Sequence, residues 1–252
     1  MKNTLIQYGA AAADLLLPRT CIVCGRKLGI HESHICLYCI SDLPFTFFWH
    51  REHNPMADKF NEQIQKTLEA APATQIPAEK YAFAAALYFF SQGSDYRNIQ
   101  YSLKYKGNIS AGRHFGRILG DRLASSVQFK DADTIIPVPL HWTRKWSRGY
   151  NQAEAIACGI ALKLGAELRC DILARKKRTR TQTMLSTEEK ARNVKEAFIV
   201  KEPCKNIGRI RHILVVDDIF TTGSTLHACF TALRRVFPAD VRISIASLGY
   251  TG

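Results

Sequence analysis

Two aspartates near the C-terminus stand between an apolar run and a turn rich in threonine and glycine. In the stretch ILVVDDIFTTGST, the β-forming residues end at Asp217 and Asp218, and a helix-like pattern begins after the turn. The turn residues are Thr221, Thr222, Gly223, Ser224 and Thr225. Backbone N–H groups at the start of a helix bind phosphate, and hydroxyls can add further donors. Because carboxylates accept hydrogen bonds from sugar hydroxyls, the pattern predicts a site for a ribose 5-phosphate.

Two other structures could contain this stretch. A response-regulator receiver also begins with an acidic pair, but only 34 residues follow Asp218, whereas such a domain needs roughly 100. We therefore expect that the stretch does not belong to a receiver. A plain strand–turn–helix connection, with an aspartate capping the helix, is the simpler alternative.

Four of the eight cysteines form two CxxC pairs, Cys21 with Cys24 and Cys36 with Cys39, and eleven residues separate the pairs. Two such turns, each with two thiolates, complete a tetrahedral zinc shell. Disulfides fit poorly with a chain in which no signal peptide is recognised, and a redox CxxC would not need a second copy. The sequence therefore predicts one structural zinc ion. The remaining thiols are expected to be core or incidental: Cys158, Cys170, Cys204 and Cys229.

The net charge is +13 and the isoelectric point is near 9.5, so an anionic partner is expected. Nucleic acid, phosphorylated metabolites and anionic membranes all satisfy this condition. The apolar stretch at 4–18 is interrupted by polar residues and is shorter than the roughly 20 residues that a membrane span needs. We expect no membrane span, a cytoplasmic protein, and a short N-terminal helix that packs on its own chain.

Strand and helix signals alternate in the C-terminal two thirds of the chain. The predicted strands are 81–90, 133–139, 212–218 and 241–248, and the predicted helices are 95–106, 111–126, 150–165 and 223–236. Such alternation predicts an α/β fold with a parallel sheet and helices on both faces, and ligands of these sheets bind at the carboxyl ends of the strands. We predict a zinc module with an N-terminal helix at 1–49, a polar linker with one short helix at 50–80, and the α/β domain at 81–252.

Several short stretches carry a resemblance to a known family. They are LLLPRTCIVCG, CLYC, LKYKGN, IIPVPL, RGYNQAEAIA, RTRTQTMLSTEEKARNVKEAF and ILVVDDIFTTGST. Together they resemble the ComF-type competence family, which joins an N-terminal zinc finger to a type I phosphoribosyltransferase domain. The last stretch is similar to the phosphoribosyl-pyrophosphate signature of those transferases. Many relatives carry further CxxC pairs in the part corresponding to 50–80, where this chain has none, so one zinc ion is expected rather than two.

The resemblance implies a ligand and a reaction. Phosphoribosyl pyrophosphate would bind with Mg²⁺, its phosphate on the turn 221–225 and its ribose on Asp217 and Asp218. The Mg²⁺ ion would be held mainly by pyrophosphate and ribose oxygens and by water. The reaction would be displacement at the anomeric carbon, and the two aspartates would act as catalytic residues by fixing the ribose and favouring its developing positive charge. The acceptor is not identified.

The resemblance also implies a site for the leaving pyrophosphate. Val138 and Pro139 match a turn that contacts pyrophosphate through backbone N–H groups, although a proline turn that simply ends a strand is an equal alternative. Arg175 and Lys176 belong to the basic stretch 174–183, which matches the mobile loop that closes over the site and excludes water. These cations would neutralise the pyrophosphate.

Two functions follow from the resemblance. The first is a phosphoribosyltransferase-like protein that takes part in DNA uptake during natural transformation, with other DNA-uptake proteins as further partners. The alternative is a non-catalytic module that binds single-stranded DNA and is regulated by phosphoribosyl pyrophosphate. The segment 141–152 supports a DNA role because Trp142, Trp146 and Tyr150 alternate with arginine and lysine, an arrangement that suits stacking and phosphate contact. Core packing is the alternative role of these aromatic residues.

Overall fold

A computed structural model describes residues 18–70, 81–140, 149–175, 197–201 and 207–252. The predicted N-terminal helix, Trp142, Trp146, Lys176 and Cys204 lie outside these residues. Among the residues that are described, no helix is both long and apolar enough to cross a bilayer.

Besides two short 3-10 helices at Phe48–His50 and Ile207–Arg209, the described residues contain six α-helices and seven strands. In chain order they are α1 (Leu37–Ser41), α2 (Pro55–Glu69), β1 (Ala84–Phe89), α3 (Arg97–Tyr105), α4 (Ile109–Ala124), β2 (Thr134–Pro137), α5 (Gln152–Leu164), β3 (Glu167–Leu168), β4 (Leu173–Arg175), β5 (Phe198–Val200), β6 (His212–Phe220), α6 (Ser224–Arg234) and β7 (Arg242–Tyr250). The four predicted strands and the four predicted helices of the α/β part are all present, with ends shifted by a few residues.

Five strands form one parallel sheet in the order β1-β7-β6-β2-β3. Strands β6 and β7 are buried along most of their length because the parallel sheet is covered on both faces. Strands β4 and β5 form a separate antiparallel pair. The predicted fold class, a parallel sheet with helices on both faces and a cysteine module at the N-terminus, is confirmed.

The two faces of the sheet carry separate apolar clusters. On one face, α2 and α6 pack through residues such as Phe60 and Phe230, whose rings meet edge to face. On the other face, α3, α4 and α5 pack through residues such as Leu103, Phe115 and Ile156. Three-layer burial of this kind leaves the strand ends and their loops as the exposed places where a ligand can bind.

Helix α2 lies in the segment that the sequence predicts to be a linker, and it contributes to the core. Asn54 caps the helix by accepting hydrogen bonds from the N–H groups of Met56 and Ala57, and Pro55 occupies the first turn. Met56, Phe60 and Ile64 recur at helical spacing and are fully buried or nearly so. The predicted helix is therefore present, but it packs into the core, which the polar composition of the segment did not indicate. The domain boundaries stay a prediction.

The cysteine module packs against the same face as α3, α4 and α5. Cys21, Ile35 and Leu43 belong to the apolar cluster on that face. The segment after Leu43 runs antiparallel beside β1, where the Thr46 N–H donates to the carbonyl of Leu87. These contacts hold the module against the sheet.

Helices α4 and α5 approach so closely that glycine is needed at their crossing. A Cβ atom added to Gly116 would lie 2.2 Å from the carbonyl oxygen of Ile156, and one added to Gly159 would lie 2.4 Å from that of Arg113. A backbone oxygen cannot rotate away as a side chain can, so the helices would have to separate.

We predict that Gly116→Ala destabilises the protein by about 2 kcal/mol. Alanine favours an isolated helix over glycine by about 1 kcal/mol, but overpacking costs about 1–3 kcal/mol and occasionally more, and the backbone clash places this site at the upper end. Urea unfolding measures the change. Gly208→Ala is the control, because its added Cβ would meet no heavy atom within 4 Å. An unchanged or higher stability of Gly116→Ala would contradict the prediction.

Candidate functional site

The acidic pair lies at the carboxyl end of β6, and the turn that follows leads into α6. Gly223 caps α6 with a φ angle of 80°, which favours glycine. A Cβ atom at this position would also lie 2.7 Å from Cζ of Phe220. The first N–H groups of α6 have no helical carbonyl to bind, so they are available to an anion. The hydroxyls of Thr222 and Ser224 lie 2.9 Å apart in the same turn.

A cavity of about 230 Å³ opens at the carboxyl ends of β2 and β6. Seven of the predicted ligand-binding residues line it: Val138, Pro139, Arg175, Asp217, Asp218, Thr221 and Thr225. They come from three separate segments of the chain, 138–139, 175 and 217–225. Thr222, Gly223 and Ser224 connect Thr221 to Thr225 within the turn. The fold thus brings together residues that the sequence placed in one site, while Lys176 lies outside the described residues.

Lys104 lines the same cavity, although the sequence analysis did not select it. Its Nζ atom lies 3.0 Å from Oδ2 of Asp218, and the two side chains are only 25% and 15% exposed. Gln100, one helical turn earlier on α3, donates from Nε2 to the carbonyl oxygen of Asp218. Lys104 belongs to the stretch LKYKGN, so the resemblance contained a signal for it, but only the fold reveals its partner.

The start of α5 supports the turn that contains Val138. Asn151 caps α5 and donates from Nδ2 to the carbonyl oxygen of Val138 at 3.0 Å. The preceding residue, Tyr150, is buried, and its hydroxyl donates to the carbonyl of Leu103. Tyr150 is therefore a packing residue, and its predicted role in stacking on nucleic acid is wrong.

Helix α2 reaches the turn 221–225 from the other side. Lys59 donates from Nζ to the carbonyl of Thr221 at 3.0 Å, and Gln63 donates from Nε2 to the carbonyl of Thr222 at 2.6 Å. Two carbonyls of the turn are engaged in this way. The N–H groups of the same two peptide units, which belong to Thr222 and Gly223, point in the opposite direction within the plane of each trans peptide bond.

Asp217 has a perturbed titration. Burial, with the charge of Asp218, raises the pKa of Asp217 from 3.8 to about 8, although the N–H of Asp218 and the charge of Lys104 oppose the shift. The Asp218 N–H donates to Oδ1 of Asp217 at 2.8 Å. The raised pKa favours the protonated form of Asp217 near neutral pH in the ligand-free protein.

The four patterned cysteines form one cluster whose Sγ atoms all lie within 4.8 Å of one another. The Cys24 and Cys36 sulfurs are 3.8 Å apart, which matches the edge of a tetrahedron with metal–sulfur bonds of about 2.3 Å. A hydrogen bond from the backbone at Arg26 lowers the pKa of Cys24 to about 7, whereas burial raises the pKa of Cys39. The cluster can hold a metal ion, which would stabilise all four thiolates. Zinc, the metal that the Cys₄ set fits, stays a prediction.

The two histidines between the cysteine pairs are not part of this cluster. His31 is exposed. His34 places Nε2 2.9 Å from the hydroxyl of Ser110, and its ring packs against His114. His34 thus joins the module to α4.

A larger cavity, about 610 Å³, lies at the amino-terminal edge of the sheet, far from the acidic pair along the strands. Beside it, Asp131 and Ser244 each lie 2.8 Å from one ring nitrogen of His212. This order of groups is that of a serine hydrolase triad, but Ser244 is fully buried and cannot reach a substrate. The carboxylate of Asp133 accepts from the N–H groups of Arg211 and His212. These contacts join the ends of neighbouring strands. We therefore assign these side chains a structural role rather than a catalytic one.

We predict that Cys36→Ser lowers the metal content of the purified protein and loosens the N-terminal module. Thiolate sites gain their binding energy when all ligands assemble, so one lost thiolate weakens the whole site. Elemental analysis measures the metal, and limited proteolysis measures the loosening. Cys170→Ser, which changes an exposed cysteine outside the cluster, is the matched control. Wild-type protein purified without chelator and found free of zinc would refute the site.

We predict that Asp217→Asn alters the pH dependence of stability. Because the pKa of Asp217 is raised from 3.8 to about 8, the folded protein binds more protons than the unfolded chain between these values, and stability falls as pH rises through this window. Asparagine cannot ionise. The melting temperature of the variant relative to wild type should therefore increase from about pH 5 to about pH 8 and then stay level.

Thermal unfolding of the ligand-free proteins measures this difference. Asp240→Asn removes a carboxyl from an exposed position and controls for the change in net charge. A difference between Asp217→Asn and wild type that is independent of pH would show that Asp217 is ionised throughout.

The chain is similar to curated proteins over part of its length, and no protein-family model matches it. Competence protein F of Haemophilus influenzae is 37% identical over 116 residues, which are 46% of this chain and 50% of that protein. DNA utilization protein YhgH of Escherichia coli O157:H7 is 35% identical over 111 residues, which are 44% of this chain and 47% of that protein. The chain thus spans about half the length of the curated relatives it matches.

One solved structure, of the allosteric regulatory enzyme of purine biosynthesis, aligns with 54% of this chain and 25% of its own. The TM-score is 0.36 and the sequence identity is 21%, which is too low to support a functional conclusion. The identities to the curated proteins are higher, and one of those proteins carries the competence name itself. These identities to the curated proteins confirm, over the matching part of the chain, its resemblance to the ComF-type competence family.

Proposed function

We propose that this chain is a phosphoribosyltransferase-like protein that binds phosphoribosyl pyrophosphate with Mg²⁺ at the carboxyl edge of its sheet and acts in the handling of DNA. The observation that carries the proposal is the cavity of about 230 Å³, which gathers the acidic pair and the helix-opening threonine turn of one segment with Lys104 and Arg175 of two others. A sugar with a phosphate at one end and a pyrophosphate at the other offers hydroxyls to the acidic pair and negative charge to the turn and the basic residues.

The acidic pair would bind the ribose. Asp217 and Asp218 offer acceptors for the vicinal hydroxyls, and Lys104 holds Asp218 in place through their ion pair. The turn from Thr221 to Thr225 would bind the 5-phosphate through N–H groups and hydroxyls. Each group of the ligand then has a partner of opposite hydrogen-bonding character.

The pyrophosphate would lie toward Arg175, which lines the other part of the cavity. The predicted contact through backbone N–H groups at Val138 and Pro139 is not available, because the Val138 N–H donates to the carbonyl of Val216 and proline has no N–H. Arg175 also places its guanidinium 5.3 Å from the centre of the Phe198 ring, so the antiparallel pair of β4 and β5 orients it. When bound, Mg²⁺ would neutralise the leaving pyrophosphate, and Asp217 and Asp218 are the cavity's carboxylates that could hold it through water. Displacement at the anomeric carbon would then depend on positioning and charge, with Lys104 limiting the repulsion between the two acids.

The DNA part of the proposal has separate support. Both curated relatives carry names that refer to competence or to DNA utilization. The net charge of +13 is larger than one bound pyrophosphate would neutralise, and a polyanion such as DNA would bind to the remaining positive charge.

A non-catalytic DNA-binding module regulated by phosphoribosyl pyrophosphate is the second candidate. Release of pyrophosphate in the presence of nucleobases and nucleotides would favour the transferase, whereas DNA binding without turnover would favour the module.

We predict that Asp217→Ala combined with Asp218→Ala weakens the binding of phosphoribosyl pyrophosphate by about 2–4 kcal/mol, since each lost acceptor costs about 1–2 kcal/mol. Calorimetry with Mg²⁺ present measures the affinity. The matched control removes two exposed aspartates elsewhere, Asp95 and Asp240, and should keep the wild-type affinity. Equal affinity in wild type and the Asp217/Asp218 variant would mean that the ligand binds elsewhere.

A further inference from the structure

Helix α3 carries a pair of exposed aromatic side chains. Tyr101 and Tyr105 are four residues apart and so share one face of the helix. They are 52% and 69% exposed, and their ring centroids lie 5.0 Å apart with a tilt of 38°. The helix packs on the core through Ile99 and Leu103 instead. The tyrosine pair therefore presents its rings outward.

Cations accompany this pair. The Nζ atom of Lys106 lies 5.9 Å from the centre of the Tyr101 ring. Arg97 is exposed and precedes Tyr101 by four residues, so it extends the same row. We call Arg97, Tyr101, Tyr105 and Lys106 the aromatic strip. At a rise of 1.5 Å per residue, the helical part of the strip is about 12 Å long.

The strip adjoins the candidate site. Gln100 and Lys104 of the same helix bind the carbonyl and the carboxylate of Asp218. Tyr101 and Tyr105 each follow one of them by a single position, which is a rotation of about 100° around the helix. The face that contacts the acidic pair and the face that carries the tyrosines are therefore neighbours.

We propose that the aromatic strip binds single-stranded nucleic acid, with bases stacked on Tyr101 and Tyr105 and phosphates beside Arg97 and Lys106. Aromatic rings interleaved with cations match a strand that offers a planar base and a negative charge in every repeat, and stacking accepts any base. An acidic peptide or a lipid headgroup would satisfy the cations but has no regular series of planar rings. A strand on this strip would pass beside the cavity that holds the acidic pair.

The inference rests on the proposed function only for the class of partner, because the strip makes no use of phosphoribosyl pyrophosphate. The position of the strip nevertheless bears on the proposed function. A strand held on the strip would place a base or a strand end near the acidic pair, where the acceptor of a ribosyl group would have to lie.

Fluorescence anisotropy with a labelled single-stranded oligonucleotide of about 15 nucleotides tests the strip. Tyr101→Ala combined with Tyr105→Ala should weaken binding about tenfold or more, because one base stack is worth about 1–3 kcal/mol and 1.4 kcal/mol is a factor of ten. The variant with both tyrosines changed to phenylalanine keeps the rings and should retain wild-type affinity. Tyr38→Ala is the matched control, because Tyr38 is 70% exposed with Arg26 over its ring but belongs to the cysteine module.

An abasic strand of the same length separates stacking from charge. Wild-type protein should bind it about as weakly as the alanine variant binds the strand with bases. The proposal is overturned if the alanine variant binds the strand with bases as tightly as wild type does. It is also overturned if the alanine substitutions weaken binding of the abasic strand by the same factor.

Calorimetry with phosphoribosyl pyrophosphate on the same variants keeps the two proposals apart. The alanine variant should bind this ligand as wild type does, because neither tyrosine lines the cavity. If wild type fails to bind phosphoribosyl pyrophosphate but the tyrosines still determine nucleic-acid affinity, the strip stands and the proposed ligand falls. If wild type binds phosphoribosyl pyrophosphate but the tyrosines do not affect nucleic-acid affinity, the role proposed for the aromatic strip is wrong and the proposed ligand is unaffected.

Discussion

The structure of the candidate site depends on two neighbouring carboxylates that are largely withdrawn from water at the end of a central strand. Like charges in a medium of low polarity repel strongly, so Asp217 and Asp218 need compensation. The protein supplies it through Lys104, through the Asp218 N–H and through a retained proton, which the raised pKa of Asp217 reflects. In the proposed function, a ligand with hydroxyl donors or an associated cation would add to this compensation.

The same requirement explains why so many elements meet at this edge of the sheet. Helix α3 brings Lys104, the start of α5 supports the Val138 turn, and α2 holds the carbonyls of Thr221 and Thr222. Each of these contacts joins residues that are distant in the chain. The helices that contribute these residues are themselves packed in the two apolar clusters on the faces of the sheet.

The sequence predicted the fold class, the strands and helices of the α/β part, and the residues of the acid and turn segment, because these depend on local patterns: apolar periodicity, glycine at a turn, and paired CxxC spacing. It did not predict the place of α2, because a polar composition with prolines is typical of linkers and the apolar positions Met56, Phe60 and Ile64 are few. It also did not predict the pairing of Lys104 with Asp218, or that Tyr150 is buried. All three depend on contacts between distant segments, which no local pattern encodes.

The position of α2 has a consequence for dissecting the molecule. The chain passes from the cysteine module into this helix and only then into β1, and α2 covers apolar side chains of the sheet and of α6 while it holds the turn at Thr221. A fragment cut at residue 81, the boundary that composition recommends, would leave those side chains facing water and the turn without its support. Crystallographic or NMR work on an isolated transferase-like unit is better served by a fragment that begins before Asn54, so that the helix travels with its cap.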